Sequence, residues 1–434
     1  MADYLVTDTE LTSIADAIRT KGGTSADLSF PTEFVSAIND IQTGSSPAPK
    51  KDVNFIDYDG TILHSYTASE FQNLSAFPSN PIHDGLISQG WNWSLENAKA
   101  QMVAQPNDKL YIGQMYITAS GDTEIDVGFD DSARLSPILT IAVNGTVSID
   151  WGDNTTNTQT GTSLTTILSV SHTYASKGSY TIKVSVITGS FQFYGSTTST
   201  LLRKNTTSNE NMVYSNCVKA VRFGNGVTSI GAYAFANCWS IENITIPHSV
   251  TSIGSYAFNV CYSLKSLTIP SSVTAIGDYT FATCSALANI AIPHSVTSIA
   301  KDAFAYCHSL ENIALPSGVT SIGEQIVYDC RSLKSITIPS GATTIGSQAF
   351  AYCYCIASIT IPSSITSITG TYVFNGMYGL KEVHIKPTTP PTLANKNAFY
   401  YKASDLIIYV PSASLSTYKS ATNWSNYASQ MVGE

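Results

Sequence analysis

Few residues in this chain have the types and spacing that chemistry needs. Asp57 and Asp59 set two carboxylates around Tyr58, just ahead of Gly60-Thr61. Cys353 and Cys355 form a C-x-C, but neither a His nor a second Cys pair stands by to complete a metal site. The seven His are scattered, and no G-x-S-x-G, H-E-x-x-H, P-loop or Rossmann fingerprint occurs. Carboxylate pairs for glycoside cleavage leave no recognisable mark in one sequence. The other group is aromatic and polar: Trp239, Tyr262, Tyr306, His308, Tyr328, Arg331, Tyr352 and Tyr354 crowd around regularly spaced cysteines. A composition of this kind suits a recognition surface.

The run Phe55-Ile56-Asp57-Tyr58-Asp59-Gly60-Thr61 resembles the D-x-D-G-T nucleophile loop of haloacid-dehalogenase-type phosphotransferases. The resemblance implies Asp57 as nucleophile, Asp59 as acid/base and a Mg²⁺ held by both. Lys99 or Lys109 would supply the Lys, and Asp130-Asp131 the later acidic pair. Such sites sit at the carboxyl ends of a parallel sheet, with several βαβ units between the motifs, whereas about 70 residues here carry two short helices and then alternating strands. The pattern therefore argues against an enzyme, and no catalytic residue, cofactor or metal is assigned.

A chain of 434 residues predicts about two to four domains. Charged residues are only 12%, the net charge is −9, and Lys and Arg form no cluster, which speaks against nucleic acid and anionic lipid as partners. Met1-Ala2-Asp3-Tyr4 opens no signal-like segment, and no run of 18 apolar residues follows, so the expectation is synthesis in a cytoplasm without membrane insertion.

The fold expected is multidomain and mainly β. Residues 1–43 read as a helical hairpin with apolar stripes Leu11, Ile14, Ile18 and Phe34, Ile38, Ile41, too small to stand alone and therefore an oligomerisation or anchoring element, or else a cap on the next domain. Residues 44–52 form a linker and 53–108 a small mixed α/β segment, with Thr67 and Ser94 as helix caps. Alternation over 109–200 predicts an antiparallel sandwich. Within it, Val147-Ser148-Ile149-Asp150-Trp151-Gly152-Asp153-Asn154, then His172-Thr173-Tyr174 and Gly178-Ser179-Tyr180, resemble the polycystic-kidney-disease (PKD) domain, an Ig-like spacer. Asp150 and Asp153 are expected to brace a turn.

From 215 to 400 one unit recurs: Leu264-x-x-Leu267-x-Ile269-Pro270-x-x-Val273-Thr274-x-Ile276-Gly277-x-x-x-Phe281-x-x-Cys284. Such self-similarity means a stacked solenoid, here of seven or eight rungs and roughly 35 Å long at the ~4.8 Å strand spacing. Cys238, Cys261, Cys284, Cys307, Cys330 and Cys353 share one position and predict a buried thiol ladder. The pattern resembles the BspA-like leucine-rich repeats of bacterial surface proteins, and 401–434 resembles their C-terminal cap. That resemblance implies attachment to proteins or host surfaces. The last units depart from the repeat: Val327 replaces Phe, Thr369-Gly370-Thr371 adds a residue, and Gly376-Met377 displaces the Cys. The eight residues named at the outset either form a recognition surface or only cover the turns between rungs. The strand positions Thr245, Thr268, Ala291, Ala314, Thr337 and Thr360 read as an exposed but bland face.

Leu11 through Arg19, Lys21-Gly22-Gly23-Thr24, Phe30-Pro31-Thr32 and Phe34 also resemble the start of tail or fibre-type proteins of phages from Gram-positive gut bacteria. The leading expectation is thus a non-enzymatic virion appendage adhesin, bound to other virion proteins through its N-terminal helices and to a bacterial-surface or mucosal protein or glycan through the solenoid. It would be a homo-oligomer, with a trimer favoured, placed on the virion surface. The alternative is a BspA-like adhesin of the bacterial cell surface; a phosphatase comes third.

Overall fold

In the computed structural model, the structure describes residues 52–105, 109–195, 201–203, 214 and 216–434. The expected helical hairpin, with Leu11, Ile14, Ile18, Phe34, Ile38 and Ile41, lies outside the described residues.

Four strands open the described chain: β1 (Val53–Ile56), β2 (Ile62–Tyr66), β3 (Leu86–Trp91) and β4 (Leu110–Thr118), in sheet order β2-β1-β4-β3. Two helices pack on them. Thr67 and Glu70 form a reciprocal capping box at α1 (Ala68–Gln72), and the Ser94 hydroxyl accepts from Asn97 N–H at the start of α2 (Leu95–Ala104). These caps satisfy amide groups that a helix start leaves unpaired. Phe55, Phe71, Trp91, Trp93, Ala98 and Met102 fill the small core between helices and sheet. Because β4 pairs in parallel with β1, this sheet continues past 108 to Thr118.

Next come β5 (Thr123–Phe129), β6 (Ile138–Asp150), β7 (Thr156–Ser171) and β8 (Gly178–Phe193), paired antiparallel as β5-β8-β6-β7. The alternation in the sequence suggested a self-contained sandwich. Instead the buried side chains of these strands, from Ile125 to Phe193, run without a break into those of the repeats. β5 pairs antiparallel with Val218–Arg222, and the end of β8 pairs in parallel with Val227–Ile230. Each sheet of the solenoid therefore starts on a strand of this segment. A stacked array needs its first apolar layer covered, and β5 and β8 cover it.

Each of the first eight solenoid turns carries a first strand and a second one of equal or shorter length. First strands begin at Val218, Asn243, Ser266, Asn289, Asn312, Ser335, Ser358, Glu382 and Ile407, which makes nine turns, more than the seven or eight expected. The extra turns are those whose irregular spacing hides them: Met377 takes the Cys position and Phe399 stacks on Phe374 at 4.7 Å. Phe235, Phe258, Phe281 and Phe304 stack face to face at 5.4–5.5 Å. The cysteines behave as expected: all six of the ladder are buried and unpaired. From Cys261 to Cys353 each thiol donates to the carbonyl 26 residues earlier, at 3.2 Å. Burial pushes the Cys238 and Cys353 thiols up to about 12. At the far end Met431–Gly433 pairs with Ile408–Val410, while buried Tyr418 and Trp424 donate to Pro387 O and Pro391 O.

One expectation about this face is corrected. Thr245, Thr268 and Ala291 are buried, because the β1–β4 sheet lies across the first strands of the solenoid. Asn92 Nδ2 donates to Ile269 O and Ala291 O, and Gln101 Nε2 to Leu315 O. Small residues stand there because a second sheet needs the room. Ala314 is half-buried at the margin, and only Thr360, beyond it, is exposed.

Candidate binding site

The loop that joins the second strand of one turn to the first strand of the next carries the aromatic residues singled out in the sequence. Its backbone alternates between ordinary and left-handed conformations. Two residues per turn have positive φ: the one two places before Phe, as at Tyr256 (62°), and the one just before Cys, as at Tyr306 (61°), Asp329 (55°) and Tyr352 (63°). A left-handed L-residue costs roughly 1–2 kcal/mol, and backbone bonds between turns offset that cost. Tyr306 N–H donates to Tyr328 O at 2.7 Å, Asp329 N–H to Ala351 O at 2.9 Å and Tyr352 N–H to Asn375 O at 2.8 Å. The loops thus stack as firmly as the strands and hold their side chains at a fixed rise.

Six of the eight sequence-predicted residues come together. Tyr306, Tyr328 and Tyr352 meet edge to face at 5.3 Å each, and Tyr352 reaches Tyr354 at 6.3 Å. His308 packs on Tyr306 and bonds Asp329 Oδ2 at 3.3 Å. Arg331 grips Asp329 through Nε and a terminal nitrogen, both at 2.9 Å. This bidentate pair fixes a planar guanidinium at the surface and keeps Arg331 above its usual range. Burial, and then the neighbouring Tyr306 and Tyr352, push Tyr328 up to about 12, so its hydroxyl remains a neutral donor and acceptor. Trp239 and Tyr262 make a separate pair at 5.9 Å, because Ser285 interrupts their column before His308.

Two members escaped sequence reasoning. Asp329, just before Cys330, anchors both His308 and Arg331. Tyr378, 59% exposed, stacks on Tyr354 at 6.0 Å and extends the patch by one turn. Its signal was present in the spacing: it follows Met377 just as Tyr354 follows Cys353. The patch can offer aromatic faces, hydroxyls and one oriented guanidinium to a ligand, in the mixture that rigid recognition surfaces use.

The carboxylate motif is built for another task. Asp57 and Thr61 close the turn of an antiparallel hairpin between β1 and β2, and Asp59 Oδ1 accepts from Thr61 N–H. Lys99 is spent on Gln72 O and Leu74 O, Asp131 caps Ala133 N–H, and Asp130 pairs with Arg134. Asp57 pairs with His83 at 2.6 Å instead. Asp150 and Asp153 brace their turn as expected, accepting from Gly152 N–H and Thr155 N–H. Among the described residues no group of three His, Cys, Asp or Glu could hold a metal ion, and no helix is long and apolar enough to cross a membrane.

The sequence matches the profile of the BspA type leucine-rich repeat region over residues 185–311 and 274–405. Among solved structures it is similar to a leucine-rich repeat protein from Bacteroides ovatus, at 27% identity over 48% of this chain and 68% of that one, with a TM-score of 0.33. The T. pallidum leucine-rich repeat protein matches at 27% identity over 41% of this chain and 77% of its own, with a TM-score of 0.30. A leucine-rich cell surface protein from Faecalibacterium prausnitzii matches at 21% over 52% and 85%, with a TM-score of 0.32. Among curated proteins, none matches.

Proposed function

The chain belongs to the BspA-type leucine-rich-repeat proteins, and from that premise we propose that it is a non-enzymatic surface-attachment protein whose loop edge binds a protein or glycan of a bacterial or mucosal surface. The observation that carries this reading is the patch around Asp329, which holds Arg331 bidentately and shares its loop edge with the exposed Tyr306 and Tyr354. Family membership, in a group of cell-surface and typically non-enzymatic proteins, favours display on a bacterial surface. The virion-appendage reading rests on the resemblance of residues 11–34 to phage fibre-type proteins, as does homo-oligomerisation through Leu11, Ile14, Ile18, Phe34, Ile38 and Ile41. The PKD-like run 147–180 supports a spacer role for the segment ahead of the repeats.

The test is adsorption of the labelled chain to gut bacterial cells and to mucin-coated plates, compared with a triple variant Tyr306→Asn, Tyr352→Asn, Arg331→Ala. Asn tolerates the left-handed backbone, so the loops keep their shape. Binding should fall about tenfold or more, the scale of losing a few well-placed contacts. Unchanged adsorption by a folded variant refutes the assignment of the patch. Immunoelectron microscopy with antibody to the repeats separates the carriers, since label confined to bacterial envelopes removes the virion reading.

A further inference from the structure

A cavity of about 590 Å³ opens where the β1–β2 turn faces the first solenoid turns. That is within the range of small-molecule sites, which favour junctions between packed units. Tyr58, His83 and Asp84 line one side, and Lys219, Glu242 and Asn243 the other. Behind this lining sits Asp57, only 4% exposed. It accepts from Tyr58 N–H at 2.8 Å and from Tyr116 OH at 2.9 Å, and it pairs with His83 Nε2 at 2.6 Å. Burying a carboxylate is costly unless it is fully bonded, and a turn needs no such device merely to close. Its effect is to fix the His83 ring, whose Nε2 it holds at 2.6 Å.

Most of the formal charge at the rim is already matched within the protein. Arg222 is held by Asp126 at 2.7 Å and by Glu124 at 3.1 Å, and Glu242 by Lys265 at 2.5 Å. Lys219 and Asp84 leave one group of each sign. The cavity thus pairs scattered donors and acceptors with the edge-to-face rings of Tyr58 and His83, 5.1 Å apart, and carries little net charge. We propose that this cavity is a second binding site, distinct from the tyrosine patch, for a neutral hydroxyl-rich ligand, a saccharide.

Saturation-transfer NMR on the full chain tests this with methyl β-galactoside, methyl α-mannoside and N-acetylglucosamine as probes. At least one should receive saturation, with an affinity insensitive to salt. Tyr58→Ala and Asp84→Asn should each weaken it about tenfold. The triple variant of the tyrosine patch should leave it unchanged, so failure here is separable from failure of the attachment reading. Absence of transfer to all of these probes, or affinity unaltered in both cavity variants, overturns the proposal. Binding of inorganic phosphate alone, weakening as salt rises, overturns it too, because the ligand would then be an anion.

Discussion

Replacing Gly113 with Ala should loosen the β1–β4 sheet from the solenoid, and the size of the effect follows from three distances. A Cβ built at Gly113 falls 2.0 Å from Thr268 Oγ1, 2.6 Å from Thr268 Cγ2 and 2.8 Å from Thr268 Cβ. All are inside van der Waals contact, and Thr268 is itself buried, so the strain must move one sheet off the other. Overpacking of this kind costs about 1–3 kcal/mol. The backbone at Gly113 lies outside the left-handed region, so an alanine there returns about 0.4–1 kcal/mol by restricting the unfolded chain. The net expected loss is about 1–2 kcal/mol. Thr268→Ala alone should cost little, since it removes a buried hydroxyl that has no partner. In the double variant two of the three clashes vanish while the Cβ contact at 2.8 Å remains, so rescue should be partial. Urea titrations of the four proteins, with hydrogen exchange read over residues 86–118, measure the coupling. If Gly113→Ala is neutral, or Thr268→Ala gives it no relief, the two sheets are not in the contact described.

Three further outcomes are expected. Phe281→Ala removes a ring stacked on Phe258 and on Phe304, and should lower unfolding stability by about 3–5 kcal/mol in chemical denaturation; a loss under 1 kcal/mol, small beside that range, would contradict the ladder. A thiol reagent under native conditions should label Cys355 alone, since the other cysteines are buried; rapid labelling of any ladder cysteine would show that the stack opens. At Asp126 burial raises the carboxyl, but bonds from Arg222 and Thr181 outweigh it and hold the group below its ordinary value. Its contribution is therefore full above the unfolded value of about 3.9 and is lost as pH falls through the lower folded value. The pair is about one-third exposed, which limits it to roughly 1 kcal/mol. Thermal melts at pH 7 and pH 3 should accordingly show a smaller acid loss in Asp126→Asn than in the native chain.

The repeat was legible because each unit solves the same packing problem, so Phe, Cys, Ile and Pro recur wherever neighbouring turns press on them. Its irregular end was harder to read: Met377 and Phe399 do the work of Cys and Phe at altered spacing, and the period conceals the last turns. The helix caps at Thr67 and Ser94 were local and could be read directly. What the sequence could not reveal was contact between distant segments. Thr245, Thr268 and Ala291 look like a bland exposed face until the glycine at 113 and the amide of Asn92 are known to lie against it. The same holds for His83, an isolated residue in the sequence that the fold brings to Asp57 across 26 positions.

The left-handed positions link scaffold to site. Sixteen non-glycine residues among those described have positive φ, and seven of them are tyrosines, although Asn, Asp or Gly would stand there at less cost. In the early turns packing explains the choice: Tyr233, Tyr256 and Tyr279 stack face to face at 4.6 Å and knit successive loops. In the later turns burial contributes less at Tyr306 and Tyr401, which are 40% and 59% exposed. At Tyr306 and Tyr352 the strain is held by backbone bonds to the next turn. The docked sheet meanwhile covers the strand face of the early turns at Thr268 and Ala291. The loop edge of the later turns, where the proposed attachment patch lies, keeps Tyr306, Tyr354 and Tyr378 exposed.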